Sequence, residues 1–223
     1  MRMSSAIPKP LLKLGNKPIL LYTLEALAGN SFISRIIIAV NKDNVDKFRW
    51  ALKGFRTAKQ IDFVLGGRTR KESVGNCLRR VSESAELVLV HDAVRPFIDN
   101  KLINALIRQA LKTKAAIAGV CVKPTVKAVN SHREVTATLD RKNLWEIQTP
   151  QVFEKDLLVR AYERFGNLEA TDEASLVERL GVKIKVVEGS YFNIKITTPE
   201  DLVLAEAIYK ERKTHSARRK TNV

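Results

Sequence analysis

Several groups of polar residues in this chain of 223 residues have types that could handle phosphate, and they fall at expected strand ends or turns. The apolar run Leu87, Val88, Leu89, Val90 leads straight into His91-Asp92-Ala93-Val94-Arg95-Pro96-Phe97. Ligands of open α/β sheets bind beyond the carboxyl ends of the strands. There Asp92 could hold a divalent cation and Arg95 could fork onto phosphate or carboxylate. Equally, Asp92 could cap the next element and Arg95 could be a solvated ion-pair partner. In Pro8-Lys9-Pro10 the prolines predict extended backbone at Lys9, which would fix its ammonium for a phosphate, although an ordinary loop lysine would read the same way.

The other candidates follow the same logic. Gly66-Gly67-Arg68-Thr69-Arg70-Lys71-Glu72-Ser73 places a glycine pair between a strand and a helix, where free N–H groups could meet an anion or a base edge. A plain strand-to-helix turn is the alternative. Residues 140–151, DRKNLWEIQTPQ, crowd hydrogen-bonding groups around one Trp, more than a hairpin base requires. Lys195 stands just ahead of Thr198-Pro199-Glu200-Asp201, whose residue types make a good helix start. His132 and His215 have no visible partner and read as solvated. No Ser-His-Asp order, zinc spacing or Walker-type loop is present.

These residues need a scaffold, and the pattern supplies an α/β one. Short β-branched runs at 35–40, 61–65, 87–90, 115–122 and 182–187 alternate with amphipathic stretches. The spacing predicts helices over 18–28, 43–52, 70–81, 99–111, 157–165, 172–180 and 199–209. Between 123 and 148 the rhythm changes to alternating polar and apolar residues around Ser131-His132, which reads as a β-hairpin. A two-stranded ribbon is marginally stable alone, so it should pack on something else.

Composition narrows the class. No apolar run is long enough to span a bilayer, and residues 1–15 lack the apolar stretch of a secretory signal. Cys77 and Cys121 have no metal-type spacing and are expected as buried side chains in a reducing cytoplasm. The net charge is +15, but residues 210–220 hold six Lys or Arg against one Glu, so five of those charges fall in a terminal tail. With no base-stacking motif, the remaining excess suits small polyanions and nucleic acid is not an expected partner.

Taken in order, PKP, GGRTRKESV, HDAVRPF, DRKNLWEIQTPQ, TDEAS and EGSYFNIKITTPEDL resemble the 2-C-methyl-D-erythritol 4-phosphate cytidylyltransferases of the non-mevalonate isoprenoid pathway. The likeness covers residues 2–209. It implies a Rossmann-like, GT-A-like nucleotidyltransferase: an α/β domain over residues 1–212 with a mainly parallel sheet flanked by helices, and a disordered basic tail over 213–223. Its β-hairpin arm, about residues 123–148, would reach across a homodimer. The implied reaction joins CTP and a sugar-alcohol phosphate in the cytoplasm, with Mg2+ as cofactor and no membrane.

The resemblance also assigns roles. Arg2, Lys9, Arg141 and Lys195 match the catalytic positions, and Arg141 and Lys195 match the pair that grips methylerythritol phosphate. Asp92 matches the magnesium ligand at the triphosphate. Gly67 and Ser73 match positions around cytosine and ribose, with Arg95 in the same nucleotide-binding turn as Asp92. Thr125, Thr149 and Thr171 contact or shape the sugar pocket. Ribitol-5-phosphate cytidylyltransferases share the HD-x-x-RPF segment, but DR-x-x-LW-x-x-QTPQ is closer to the methylerythritol enzymes. A catalytically inactive nucleotide- or RNA-binding relative is the other alternative.

Two departures carry expectations. Pro124-Thr125-Val126-Lys127 stands where the family reads Asp-Thr-x-Lys, which removes one acceptor near the sugar. The family also begins with a buried strand and a loop of the form L-x-A-A-G-x-G-x-R-M, of which Arg2-Met3 alone corresponds here. Two exposed sheet edges, a strip of uncovered core and low activity are therefore expected of a chain of this length, with a late start codon or a shortened product as the explanation.

Overall fold

The structure, a computed structural model, describes residues 7–221, with side chains to residue 214. Arg2 and the side chain of His215 lie outside the described residues. The entry is a 3-10 turn over Lys9–Leu11, then a ribbon of β1 (Lys13–Leu14) on β2 (Lys17–Pro18), then helix α1 (Ile19–Ala28). The turn corrects the extended backbone expected at Lys9. Pro8 itself is extended, and Leu11 N–H bonds the Pro8 carbonyl at 2.8 Å, a closure that asks no N–H of Pro10.

β3 (Arg35–Val40) pairs in parallel with β4 (Gln60–Leu65), and helix α2 (Val45–Ala51) connects them. The β-branched run of β3 buries alternate residues Ile36, Ile38 and Val40, and these cluster with Leu20, Leu24 and Leu27 of α1. Helix α3 (Arg70–Leu78) leads to β5 (Leu87–Val90), and helix α4 (Asn100–Thr113) follows it. Asp99 caps α4 by accepting from Leu102 N–H at 2.8 Å, and the helix buries Leu102, Ile103, Leu106, Ile107 and Ala110, the expected stripe. β6 (Ala115–Cys121) is buried along all but its last residue. The arm is a hairpin of β7 (Val126–Val129) and β8 (Val135–Leu139).

The next strand, β9 (Trp145–Glu154), has no counterpart in the sequence pattern, which marked only a polar cluster there. Gln148, Thr149 and Gln151 are buried polar residues, so the segment lacks the apolar signature of an interior strand. It nevertheless runs antiparallel between β5 and β6, making the four-stranded sheet mixed within the expected α/β class. After helices α5 (Lys155–Phe165) and α6 (Glu173–Glu178), β10 (Lys185–Glu188) completes the order β10-β6-β9-β5, pairing in parallel with β6.

Helix α7 (Pro199–Thr221) continues through most of the segment expected to be a disordered tail. Residues 210–221 contain no Gly or Pro and several good helix formers, so nothing local stops the helix. Cys121 is exposed because it ends β6, which corrects the expected burial; Cys77 is half-buried.

Among the described residues, β3 pairs only with β4 and β5 only with β9, so the two sheets are not joined. A cavity of about 760 Å³ lies between them, lined by Ile37 and Ala39 of β3, Val88 of β5, and Leu20 and Leu24 of α1. Among the described residues the facing edges of β3 and β5 are thus unpaired across a cavity that Asp92 also lines.

Candidate active site

Asp92 follows β5 at its carboxyl end and is the centre of the site. Its Oδ1 accepts from Arg70 Nε at 3.2 Å, while its Oδ2 faces Lys195 Nζ at 3.0 Å and Arg95 Nε at 3.4 Å. Burial alone would raise the pKa of this carboxyl, but Lys195 and then Arg70 outweigh it and hold the value at about 2. Asp92 is thus ionised at neutral pH, in a depression of about 110 Å³ lined also by Gln148, Thr149, Thr171 and Asp172.

The turn carrying Asp92 is held by an internal chain of hydrogen bonds. Asp92 N–H donates to Thr149 Oγ1 at 3.0 Å, and Thr149 Oγ1 lies 3.1 Å from His91 Nδ1. His91 Nε2 lies 3.1 Å from the Arg95 carbonyl, which can only accept, so the proton is on Nε2 and Nδ1 accepts from Thr149. Burial pushes the His91 pKa down to about 4, keeping the ring neutral and this polarity fixed. Arg95 is buried and donates from Nη1 to the Asn193 carbonyl at 2.7 Å, so it ties the turn to the loop carrying Lys195.

The polar residues of β9 explain the dense cluster in the sequence. Asn193 Nδ2 donates to the Thr149 carbonyl at 2.9 Å and to Gln148 Oε1 at 3.2 Å. Gln148 Nε2 donates to the Ser190 carbonyl at 2.9 Å, and Gln151 Nε2 donates to Asp172 Oδ2 at 2.7 Å. These buried amides fasten two loops to one strand, the loop with Lys195 and the one with Thr171 and Asp172. Ile196 packs with Leu14, Phe97 and Ile208, which seats Lys195 from the other side. Lys9 joins this edge by donating from Nζ to the Thr197 carbonyl.

Gly67 and Ser73 are close neighbours, but in a self-contained turn. Gly67 N–H donates to Ser73 Oγ at 3.1 Å and Arg68 N–H to Glu72 Oε2 at 2.7 Å, while Thr69 caps α3 by accepting from Glu72 N–H. The free N–H groups expected here are therefore satisfied by side chains within the turn, because Ser, Thr and Glu compete for them. A Cβ on Gly67 would come within 2.2 Å of Glu72 Cβ, so only glycine fits.

Two expected residues stay apart from the centre. Arg141 and Thr125 are exposed at the arm, and Arg141 donates to the Lys123 carbonyl rather than meeting Lys195. Within one chain the arm's position holds them away. Conversely, Arg70, His91 and Glu173 belong to the site and were not singled out as site residues. Arg70 and Glu173 lie 103 positions apart, in the GGRTRKESV and TDEAS segments, and no local spacing signals that they meet.

A strand-end carboxylate held among three cations, in an α/β fold, suits the class of enzymes that act on phosphorylated substrates. The family described as 2-C-methyl-D-erythritol 4-phosphate cytidylyltransferase matches residues 1–211. A relative of that name from Halalkalibacterium halodurans is 40% identical over 95% of this chain and 92% of its own length. One from Syntrophus aciditrophicus is 41% identical over 94% and 91%. The crystal structure of 4-diphosphocytidyl-2C-methyl-D-erythritol synthase from Anaerococcus prevotii superposes with a TM-score of 0.83 at 35% identity, covering 90% of this chain and 93% of that one. The chain belongs to the 2-C-methyl-D-erythritol 4-phosphate cytidylyltransferase family.

Proposed function

We propose that this chain transfers the cytidylyl group of CTP to 2-C-methyl-D-erythritol 4-phosphate, releasing pyrophosphate, and that the Asp92 cluster is where it does so. The observation that carries the placement is the ring of Arg70, Arg95 and Lys195 around one ionised carboxylate. A phosphate oxygen of the sugar attacks the α-phosphorus of CTP, a P–O bond forms, and the bond to the bridging oxygen breaks so that pyrophosphate leaves. The nucleophile is already anionic at neutral pH, so no general base is needed.

The obstacle is repulsion between two anions. At about 4 Å, unit charges repel by about 4 kcal/mol at an effective dielectric near 20, a barrier that fixed cations offset. Lys195 lies beside Asp92 on the substrate-facing side and is its most exposed cationic partner, suited to exchange the carboxylate for a phosphate. Lys9, tethered to Thr197, would stabilise charge developing at the α-phosphorus. Thr149 and Thr171 line the depression, and Gly67 and Ser73 would meet the nucleotide from the turn that precedes Arg70.

Asp92 suits a hard divalent cation: it is ionised, and Oδ2 faces a lysine that can be exchanged. No group of three or more His, Cys, Asp or Glu side chains gathers among the described residues, so a bound Mg2+ would take most of its shell from phosphate oxygens and water, as is usual for that ion. When bound it would neutralise the triphosphate.

A homodimer completes the reading. Val129, Val135 and Leu139 of the arm are exposed apolar residues, and packing the arm on a second copy would cover them and bring Thr125 and Arg141 to a site. No helix among the described residues is long and apolar enough to cross a membrane, and the proposed compartment is the cytoplasm.

The test is a competition. With CTP and magnesium, the chain should form CDP-methylerythritol and pyrophosphate from methylerythritol phosphate in preference to ribitol 5-phosphate, followed by phosphorus NMR. Preference for ribitol 5-phosphate, or pyrophosphate release that ignores the added sugar phosphate, would overturn the assignment.

A further inference from the structure

Glu173 is the most deeply buried carboxylate of the described residues near the site, 1% exposed, and it touches no expected substrate position. Its Oε1 accepts from Arg70 Nη1 at 2.7 Å and from Tyr162 Oη at 3.2 Å. Its Oε2 has no hydrogen-bond partner among the described residues. A buried carboxylate with one unsatisfied oxygen is costly, and a hydrophobic residue of similar size would often be no less stable there. Its geometry gives it another purpose. Arg70 reaches from α3 and touches Glu173 through Nη1 and Asp92 through Nε, so one guanidinium bridges α3, the start of α6 and the end of β5.

We propose that Glu173 is a positioning residue for the transfer reaction: it fixes the guanidinium of Arg70 so that Arg70 pins Asp92 Oδ1. The two oxygens of Asp92 then have different duties. Oδ1 is held by an arginine anchored in the core, whereas Oδ2 faces Lys195, whose side chain is 40% exposed. When Lys195 turns to a substrate phosphate, Arg70 keeps the carboxylate oriented and its charge partly balanced. Arg95 cannot substitute, because its Nη1 is committed to the Asn193 carbonyl and its Nε is 3.4 Å away on the same Oδ2. Burial works against a charged Arg70, yet the proximity of Glu173 and Asp92 raises its pKa on balance, so it stays a cation.

This inference rests on the cytidylyl-transfer reading, and the experiment separates the two. Glu173→Gln keeps the shape and removes the charge. Turnover should fall about 10- to 100-fold, the scale of residues that orient a site from behind, with KM for the sugar phosphate within about threefold and Tm within a few degrees. Arg70→Met should fall at least as far. The double variant should be no slower than Arg70→Met and should melt higher, because it no longer buries an unpaired carboxylate. Parental turnover in Glu173→Gln, or rate losses that multiply in the double variant, would overturn the proposal. Should the parent itself not turn over CTP, the transfer reading fails. The proposal is then judged by the Arg70 Nε–H resonance in nitrogen-15 NMR: loss of its exchange protection in Glu173→Gln supports it, and retained protection refutes it.

Discussion

The two sheets beside Asp92 are built to different standards. In β5, β9, β6 and β10 the centre is close-packed: Ala115, Ala116, Val152 and Phe153 have no exposed surface. In β3 the alternate residues Ile37 and Ala39 are only half-buried, and they border the cavity that separates β3 and β4 from β5. The groups proposed to serve the sugar phosphate, Thr149, Thr171 and Lys195, are fastened to β9 or its bonded loops. Those proposed to serve the nucleotide, Gly67 and Ser73, follow β4 and belong to the looser side. The comparison teaches that the half of the candidate site proposed for the sugar phosphate is preorganised by packing, whereas the half proposed for the nucleotide depends on local turn bonds and on Arg70 as its bridge to Asp92.

Core truncation should expose the contrast most strongly. Phe153→Ala should cost about 3–5 kcal/mol, while Ile37→Ala, beside an existing cavity, should cost about 1–2 kcal/mol. Urea denaturation of both variants checks this, and equal losses would erase the distinction. A smaller effect of opposite kind comes from acid. His91 has a pKa of about 4 in the folded chain against an ordinary 6.5, so the unfolded chain takes up a proton first as pH falls. Stability is therefore intact above pH 6.5 and should drop by about 2–3 kcal/mol toward pH 4, a slope that His91→Gln should flatten. Asp92 adds a separate loss only below its ordinary pKa of 3.8, as pH falls toward 2. Last, enlarging a side chain should separate the sheets by sign. Ala116→Val in the packed sheet should cost about 1–3 kcal/mol, whereas Ala39→Val at the cavity should be neutral within about 0.5 kcal/mol or stabilising. A comparable penalty at both sites would mean that the cavity is not available.

Much of this was legible in the chain because period and position speak directly. The apolar run before His91 announced a strand, and an acid at its end marked a candidate site. The stripe of α4 and the helix start at Thr198 needed only local rules; Asp201 Oδ2 accepts from the Thr197 and Thr198 N–H groups, both at 2.8 Å. β9 was not legible, because its interior faces carry Gln148, Thr149 and Gln151, whose partners lie on loops distant in sequence. The meeting of Arg70 with Glu173 was hidden for the same reason. At Lys9 the proline rule gave way to a short turn that needs no amide from Pro10. Arg141 and Thr125 sit on the arm, away from Asp92 within one chain, and their proposed place is on a second copy.

The central claim is that Asp92, among its cations, is the site of cytidylyl transfer. Asp92→Asn preserves size while removing the charge that organises Arg70, Arg95 and Lys195. Steady-state pyrophosphate release from CTP and methylerythritol phosphate should fall about 10²- to 10³-fold in the folded variant, the range for losing one preorganised electrostatic group. Turnover within threefold of the parent would show that the chemistry takes place elsewhere.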